Sequence, residues 1–287
     1  FYPSASASVV LTDALPNIKS NALSFLKFRL GYGTSAGYPS PYSTRTVIAS
    51  NARGFLDVGG IAYAEHTIAN QLGNPGLRGE LIGEFEVGFE AKVLKDKLGI
   101  DFTVYDRQTR DLITNAPIDP ATGSTTTLQN LGKVSNKGIE IGLNATPVRL
   151  GNGFQWDVIW NFTAVRPEVI TLGTGIDEIV LAVFTNLGNF AIPGRPMNMI
   201  KGTAIARDPN GNKIVAADGF HEIDPIIREL GNPNPDFLTT LINTFSFKGI
   251  MLSVQLDYRK GGMMYGSTPS ALLARGVLAP ESVLNRD

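Results

Sequence analysis

Along most of the chain, apolar and polar residues alternate with a period of two, which puts successive side chains on opposite faces of a sheet and predicts strand rather than helix. Five segments alternate cleanly. In 84–93, Phe85, Val87, Phe89, Ala91 and Val93 make one face and Glu84, Glu86, Gly88, Glu90 and Lys92 the other. In 98–107, Ile100, Phe102 and Val104 oppose Asp101, Thr103, Tyr105 and Arg107. Trp156, Val158, Trp160 and Phe162 oppose Gln155, Asp157, Ile159 and Asn161; Leu252, Val254 and Leu256 oppose Ser253, Gln255, Asp257 and Arg259; Leu26, Phe28 and Leu30 oppose Lys27, Arg29 and Gly31. Weaker strands are expected at 4–11, at 135–147 (Ile139, Ile141 and Leu143 against Gly138, Glu140 and Gly142) and at 237–247, where apolar residues fall on both sides.

Strand length and connections decide what these faces meet. Soluble strands average about 5–6 residues, whereas a tilted strand needs about 9–11 to cross hydrocarbon, and the clean runs are of the second kind. Connections are short between Val93 and Leu98, between Val148 and Gly153 and at Lys248-Gly249, with 12–24 intermediate. Those at 34–79, 108–133 and 165–236 are far longer than the loops of compact soluble domains. Short turns on one rim and long loops on the other are the pattern of a transmembrane barrel, with the long loops extracellular. Every membrane strand must reverse direction, so a strand at 200–206 belongs inside the third long loop, in a small hairpin with 213–217 turned at 208–212. The expected fold is therefore all-β, an antiparallel transmembrane β-barrel represented by eight strands in four hairpins. Phe85, Val87, Phe89, Ile100, Phe102, Trp156, Trp160, Leu252, Val254 and Leu256 are the candidates to face lipid. Lys27, Arg29, Glu84, Glu86, Glu90, Asp101, Arg107, Glu140, Asp157, Asp257 and Arg259 are the candidates to line a wet lumen. A soluble β-sandwich binding module is the competing reading of the same alternation.

Composition supports an unusual solvent. The chain is 43% hydrophobic and only 18% charged, against about 25% charged in ordinary domains, so it is too apolar for disorder and poor in charge for a water-facing surface. The longest unbroken apolar run, 179–184, is far shorter than the roughly 20 residues of a membrane helix. A formal net charge of -1 gives no reason to expect nucleic acid. With no cysteine and two separated histidines, His66 and His221, neither a thiolate nor a histidine-rich metal centre is expected. No cofactor is implied. The first residues, Phe1-Tyr2-Pro3-Ser4, show neither the basic nor the apolar region of a signal peptide.

Candidate chemistry is sparse. Glu84, Glu86 and Glu90 suggest paired carboxylates, yet alternate positions on one strand are also how a hydrated wall is built. Residues 208–212 lack the ligand spacing and terminal Glu of a calcium loop and read as a turn. Gly31, Gly33 and Gly37 follow a strand with no helix after them, which argues against a phosphate loop. His66 and His221 fall in outer loops, the apolar patches at 225–230 and 271–278 are candidate loop helices, and Arg107, Asp111, Arg149, Arg166 and Arg195 read as rim charges.

Six blocks, in order, carry a family resemblance. Residues 1–8 (FYPSASAS) resemble FFPSVSAS, 23–33 (LSFLKFRLGYG) resemble ISFLKLRASYG, and 74–77 (NPGL) resemble NPDL. Residues 105–113 (YDRQTRDLI) resemble YDRKTKDLL, 132–140 (GKVSNKGIE) resemble GEVRNKGVE, and 243–250 (NTFSFKGI) resemble NTFSYKGF. These are blocks of the carboxy-terminal barrel portion of the SusC/RagA family of TonB-linked outer-membrane transporters of the Bacteroidota. The resemblance implies a sector of a 22-stranded type of barrel and a non-enzymatic role. It implies import of an oligosaccharide, glycan or peptide across the outer membrane, with a SusD-like surface lipoprotein as lid and a TonB complex acting through a plug domain. Residues 1–287 match only a partial barrel domain, without the plug and the final strands of that pattern. A structural barrel subunit of a larger secretion or surface-anchoring assembly is the alternative role.

Overall fold

The computed structural model describes residues 1–56, 60, 62–173, 175–184, 187–217 and 219–275. In chain order, β1 (Ser4–Val10), the short helix α1 (Leu11–Ala14) and β2 (Leu23–Gly37) precede a first excursion containing β3 (Ile48–Leu56), β4 (Ala62–Ile68) and β5 (Gln71–Leu72). β6 (Glu80–Val93) and β7 (Leu98–Arg110) form the next hairpin, and the second excursion carries β8 (Ile113–Pro117) and β9 (Thr126–Asn130). β10 (Lys133–Arg149) and β11 (Phe154–Thr171) lead into a third excursion with β12 (Ile179–Phe184), β13 (Leu187–Ala191), β14 (Met199–Ile205) and β15 (Ile223–Gly231). β16 (Pro235–Phe247), β17 (Ile250–Gly261) and α2 (Ser267–Ala274) follow.

The eight strands expected to cross a membrane are the eight that join into one antiparallel sheet, in the order β1-β2-β6-β7-β10-β11-β16-β17. Neighbours in sequence are neighbours in space, as consecutive hairpins dictate. Apart from β1, these strands are 12 to 18 residues long and run past the alternating segments toward the excursions. The sheet is an open sector: β1 pairs with β2 and β17 with β16, and the two edges do not meet.

Register keeps the two faces separate across the whole sheet. On one face the rows run Phe28–Phe89–Phe102–Ile141–Phe162 and Leu30–Val87–Val104–Ile139–Ala164. Trp156 stacks on Phe245 with ring centroids 5.9 Å apart, and Phe89 on Phe102 at 5.4 Å. This face is bare. Phe28, Leu30, Tyr32, Phe85, Leu252, Leu256 and Tyr258 are all exposed, and Ala91 is the sheet's buried hydrophobic residue at this level.

Burial is found instead in the excursions. Ala116 and Leu131 of the second excursion, Val169 at the end of β11, and Ile179 and Ala191 of the third excursion form the hydrophobic core, packed by Leu172, Ile176, Leu181 and Met197 of the third excursion. β5 pairs in parallel with β9, tying the first excursion to the second. Asn74 of the NPGL block donates to the Leu128 carbonyl at 2.8 Å while its own Oδ1 accepts from the Gly76 amide. Asn130 donates to the Arg78 and Asp111 carbonyls and accepts from the Arg78 amide.

Several expectations for the third excursion are corrected. The turn at 208–212 is present, but the expected 200–206/213–217 hairpin is reduced to an isolated Arg207–Lys213 bridge and the Ile214-to-Ala206 hydrogen bond; β14 pairs with β13 and β15 instead. Residues 225–230 lie in strand β15 rather than in a helix: β15 is an edge of the β12–β15 sheet, with Ile226 and Ile227 exposed and Leu230 half-buried. The helix expected at 271–278 is present as α2, which begins earlier and ends at Ala274; residues 276–278 of the expected range lie outside the described residues.

The tight turns follow backbone rules. Phe247 pairs with Ile250, leaving Lys248 (φ 45°) and Gly249 (φ 87°) as a two-residue hairpin with both φ positive. Gly249→Ala is therefore expected to destabilise the folded protein by about 1 kcal/mol, and Lys248→Asn to stabilise it by a few tenths. The urea midpoint of the lipid-embedded protein measures both; a destabilising Lys248→Asn contradicts the turn assignment.

Candidate functional site

The second face of the sheet gathers the polar positions, and all eleven polar candidates lie on it. From β2 to β7 the rows are Lys27–Glu90–Asp101, Arg29–Gly88–Thr103, Gly31–Glu86–Tyr105 and Gly33–Glu84–Arg107. β10 adds Glu140 opposite Thr103, and β11, β16 and β17 add Asp157 opposite Thr244, Asp257 opposite Thr240 and Arg259 opposite Leu238. The ten apolar candidates share the opposite face by the same registers.

Arg29 organises this wall. Its Nη1 donates to Glu90 at 2.8 Å and to Asp101 at 3.1 Å, and its Nη2 to Asp101 and to Thr103 Oγ1, both at 2.8 Å. Lys27 Nζ meets Glu90 at 3.3 Å. Arg29 stands on β2 and Asp101 on β7, so the guanidinium crosses the whole of β6. It does so over Gly88, where a Cβ would lie 3.0 Å from Arg29 Nη2, 3.1 Å from Thr103 Oγ1 and 2.7 Å from the Phe102 carbonyl. Glycine at this position is a clearance for an ionic strap across three strands. The bidentate fork explains why arginine stands here, since lysine offers one point charge. Arg29 Nε is buried and has no hydrogen-bond partner, the one such side-chain atom among the described residues.

The other polar candidates are engaged more locally. Arg107 pairs with Glu84 across the β6–β7 ladder. Asp157 accepts from Thr146 and Gln155, both at 2.6 Å; Asp257 accepts from Thr240 at 2.6 Å and Gln255 at 2.9 Å. Arg259 donates to the Pro233 carbonyl at 3.1 Å. The Tyr105 ring covers Gly138, where a Cβ would meet Cζ at 2.1 Å. Glu84 and Glu90, two of the three carboxylates considered for acid–base work, are each held by a cation, an arrangement suited to a wall rather than to proton transfer. Among the described residues no cluster of His, Asp and Glu is placed to hold a metal.

In the excursions, the Asp208 carboxylate is consumed by its own turn. It accepts from the Asn210 and Asn212 amides at 2.9 and 2.8 Å and from Asn212 Nδ2 at 3.0 Å. The Asn212 side chain, followed by these backbone amides, holds the carboxyl below its ordinary pKa, so a calcium ligand role is not supported. Asp224 is lowered too, first by the Ile226 amide and then by Arg228. His66 Nδ1 is 3.0 Å from Ser50 Oγ, and Arg195 pairs with Glu229 at 3.0 Å. What sequence reasoning missed is the Arg29 strap and the interlocking of the excursions. Gly88, a glycine inside an otherwise clean strand, was the available signal for the first.

Two outcomes follow. Arg29→Met leaves Asp101 without its cation and Glu90 with Lys27 alone, and is expected to cost about 1–2 kcal/mol, reduced from a fully buried pair because Asp101 is half exposed; Asp101→Asn added to it restores part of the loss. A double-mutant cycle on unfolding midpoints checks this, and additive losses contradict the strap. Because the pKa of Asp208 is lowered on folding, its contribution is present above the ordinary carboxylate pKa and lost as pH falls through the lowered value. Amide exchange at Asn210 and Asn212 is expected to stay slow at mildly acidic pH in the wild type and to be fast throughout in Asp208→Ala.

Comparison with known proteins bears on this geometry. Residues 1–210 match the family model described as TonB dependent receptor-like, beta-barrel. TonB-dependent receptor P26 of Formosa agariphila is 26% identical over 294 residues, which cover 92% of this chain and 28% of that protein. TonB-dependent receptor SusC of Bacteroides thetaiotaomicron is 28% identical over 163 residues, 55% of this chain and 16% of SusC. Among solved structures, the RagAB peptide transporter superposes with a TM-score of 0.71 at 21% identity, over 90% of this chain and 29% of its own. The chain thus spans under a third of the length of these relatives.

Proposed function

This chain belongs to the TonB-dependent receptor-like β-barrel family, whose members are non-enzymatic receptors and transporters of Gram-negative outer membranes, and from that premise we propose that it is the wall of a nutrient importer. Its apolar face contacts acyl chains, its polar face lines the hydrated interior, and the three excursions stand on the extracellular side. The cargo is an oligosaccharide, glycan or peptide. The importer works with a SusD-like surface lipoprotein over the excursions and is energised by a TonB complex through a plug domain.

The observation that carries this reading is the bare apolar face. Large side chains such as Phe28, Tyr32, Phe85 and Leu256 are exposed in a continuous array, while the opposite face carries the Lys27–Glu90–Arg29–Asp101 network. In water such an array would drive aggregation; in a bilayer it is the matched surface. The excursions support the outer assignment by their size and by their own core, which lets them hold a shape without the membrane.

The reading has two tests. Val87→Arg is expected to destabilise the lipid-embedded protein by about 2–4 kcal/mol, the cost of a cation on a lipid face near the midplane, and Asn161→Arg, at an exposed position of the polar face, much less. Equal costs would contradict the assignment of faces. For transport, cells carrying the native protein, its lipoprotein and an energised TonB system are expected to accumulate a glycan or oligopeptide that cells lacking the gene do not. Failure to bind or accumulate any member of either class would overturn the import role while leaving the membrane wall intact.

A further inference from the structure

The apolar face does not remain apolar to its end. One row toward the excursions from Val87–Val104–Ile139–Ala164 stand Phe85, Asp106, Lys137 and Arg166, and beyond them Arg110 opposite Lys133, all on the same side of the sheet by register. Four cations share this margin: Arg110, Lys133, Lys137 and Arg166. They stand against two carboxylates, Asp106 and Glu168. None of the four cations makes an ion pair among the described residues. Asp106 is occupied otherwise, accepting from Ser135 Oγ at 3.1 Å and Gln108 Nε2 at 3.2 Å. The Arg166 guanidinium is held in place by the Asp236 carbonyl at 2.7 Å, with Lys137 exposed beside it.

Directly beneath Lys137 and Arg166 the wall is hollow. Ala164 is the small residue in a row of Val87, Val104 and Ile139, and its short side chain leaves a depression of about 440 Å³ lined by these residues and Phe85, with the two cations and Asp106 at its lip. That volume lies within the usual range for small-molecule clefts, about 300–1,000 Å³. Tyr32 pairs with Phe85 at the same level and sets an aromatic pair beside the lip, as at a membrane–water boundary.

We propose that this depression seats one phosphate-bearing lipid of the outer leaflet, with an acyl chain over Ala164 and its phosphate between Lys137 and Arg166. The inference rests on the assignment of faces and sides given above. Charge complementarity selects the occupant: an unpaired cation at the edge of hydrocarbon is costly, and an anionic headgroup is the partner that arrives with a chain attached. The polarity of the site also sets the leaflet. The cations lie toward the excursions and the apolar wall descends toward the tight turns, so the chain enters only from a lipid whose head is on the excursion side. A lipid held there would bridge β6, β7, β10 and β11.

The test uses the native protein extracted from outer membranes in mild detergent and stripped of lipid. It is titrated, by native mass spectrometry, with lipid A monophosphate and with the same lipid after enzymatic dephosphorylation. The phosphorylated form is expected to bind at least about tenfold more tightly in the wild type. The double variant K137Q/R166Q is expected to lose that preference, at about fivefold per cation, and to keep the affinity for the dephosphorylated lipid. Ala164→Phe, which fills the depression, weakens both lipids. Equal binding of the two lipids by the wild type overturns the proposal without recourse to any variant, as does competition by millimolar inorganic phosphate alone, which would mark a free-anion site. A spin label at Phe89, read for collision with dissolved oxygen against one at Glu90, separates the two levels. If the Phe89 label is reached much better and lipid selectivity is absent, only the lipid seat fails. If the labels are reached equally, the assignment of faces fails with it.

Discussion

The period-two alternation, held in register across eight strands, is the constraint from which the other features follow. A slip of one residue between β6 and β7 would carry Asp101 and Arg107 onto the side of Phe89 and Val87, putting charges against the apolar array and phenyl rings among the salt bridges. The Arg29 strap opposes such a slip more strongly than any single pair. It reads the positions of β2, β6 and β7 together, through Glu90 and Asp101 and over the bare backbone of Gly88. The tight hairpins set the register from one end and this network fixes it partway along.

Stability in such a sheet cannot come from a buried core, because the described strands bury almost none of their large apolar side chains against protein. It comes from the backbone ladder, which in hydrocarbon has no water to compete for it, and from the match of the apolar face to its surroundings. The excursions obey the ordinary rule. They gather Val169, Ile179 and Ala191 with Leu131 and Ala116 into a small core, and their loops are cross-tied by asparagine side chains to backbone groups. One chain thus folds by two kinds of solvation, and the boundary between them is the margin where Asp106, Lys137 and Arg166 replace hydrophobic residues.

This difference explains what was legible in the sequence. Strands between two unlike media must alternate, so the eight strands of the sheet could be read from residues 4–11, 25–32, 84–107, 135–163 and 237–259 without knowledge of partners, and the membership of each face from all of these except 4–11 and 237–247. Strands in the excursions are short, and several are covered on both sides or exposed on both. β12 reads only as an apolar run, and β15, with Ile226, Ile227 and Leu230, mimics a helical spacing. Periodicity has no purchase there, and the parallel β5–β9 pairing depends on contacts more than fifty residues apart. The polar candidates share one face by register, but the sequence did not indicate their partners: Glu84 with Arg107 follows from direct cross-strand pairing, whereas Arg29 with Asp101 requires the skipped strand.

The two free edges complete the physical picture. β1 and β17 each have a neighbour on one side only, so each presents a row of amides and carbonyls at the depth of the apolar array. Unpaired backbone groups at that depth cost several kcal/mol each, so the ladder has to continue into further strands. Closing these eight strands upon themselves would satisfy the edges but would crowd the polar face into a bore that side chains must fill. That face is built for the opposite condition. Glycines at 31, 33, 88, 138 and 142 keep it shallow, and Glu86 and Glu140 make no ion pair among the described residues, a state that needs water at the carboxylates. Unpaired acids on a shallow wall and open edges on both sides require the same solution, a wider barrel of which this sheet is one arc.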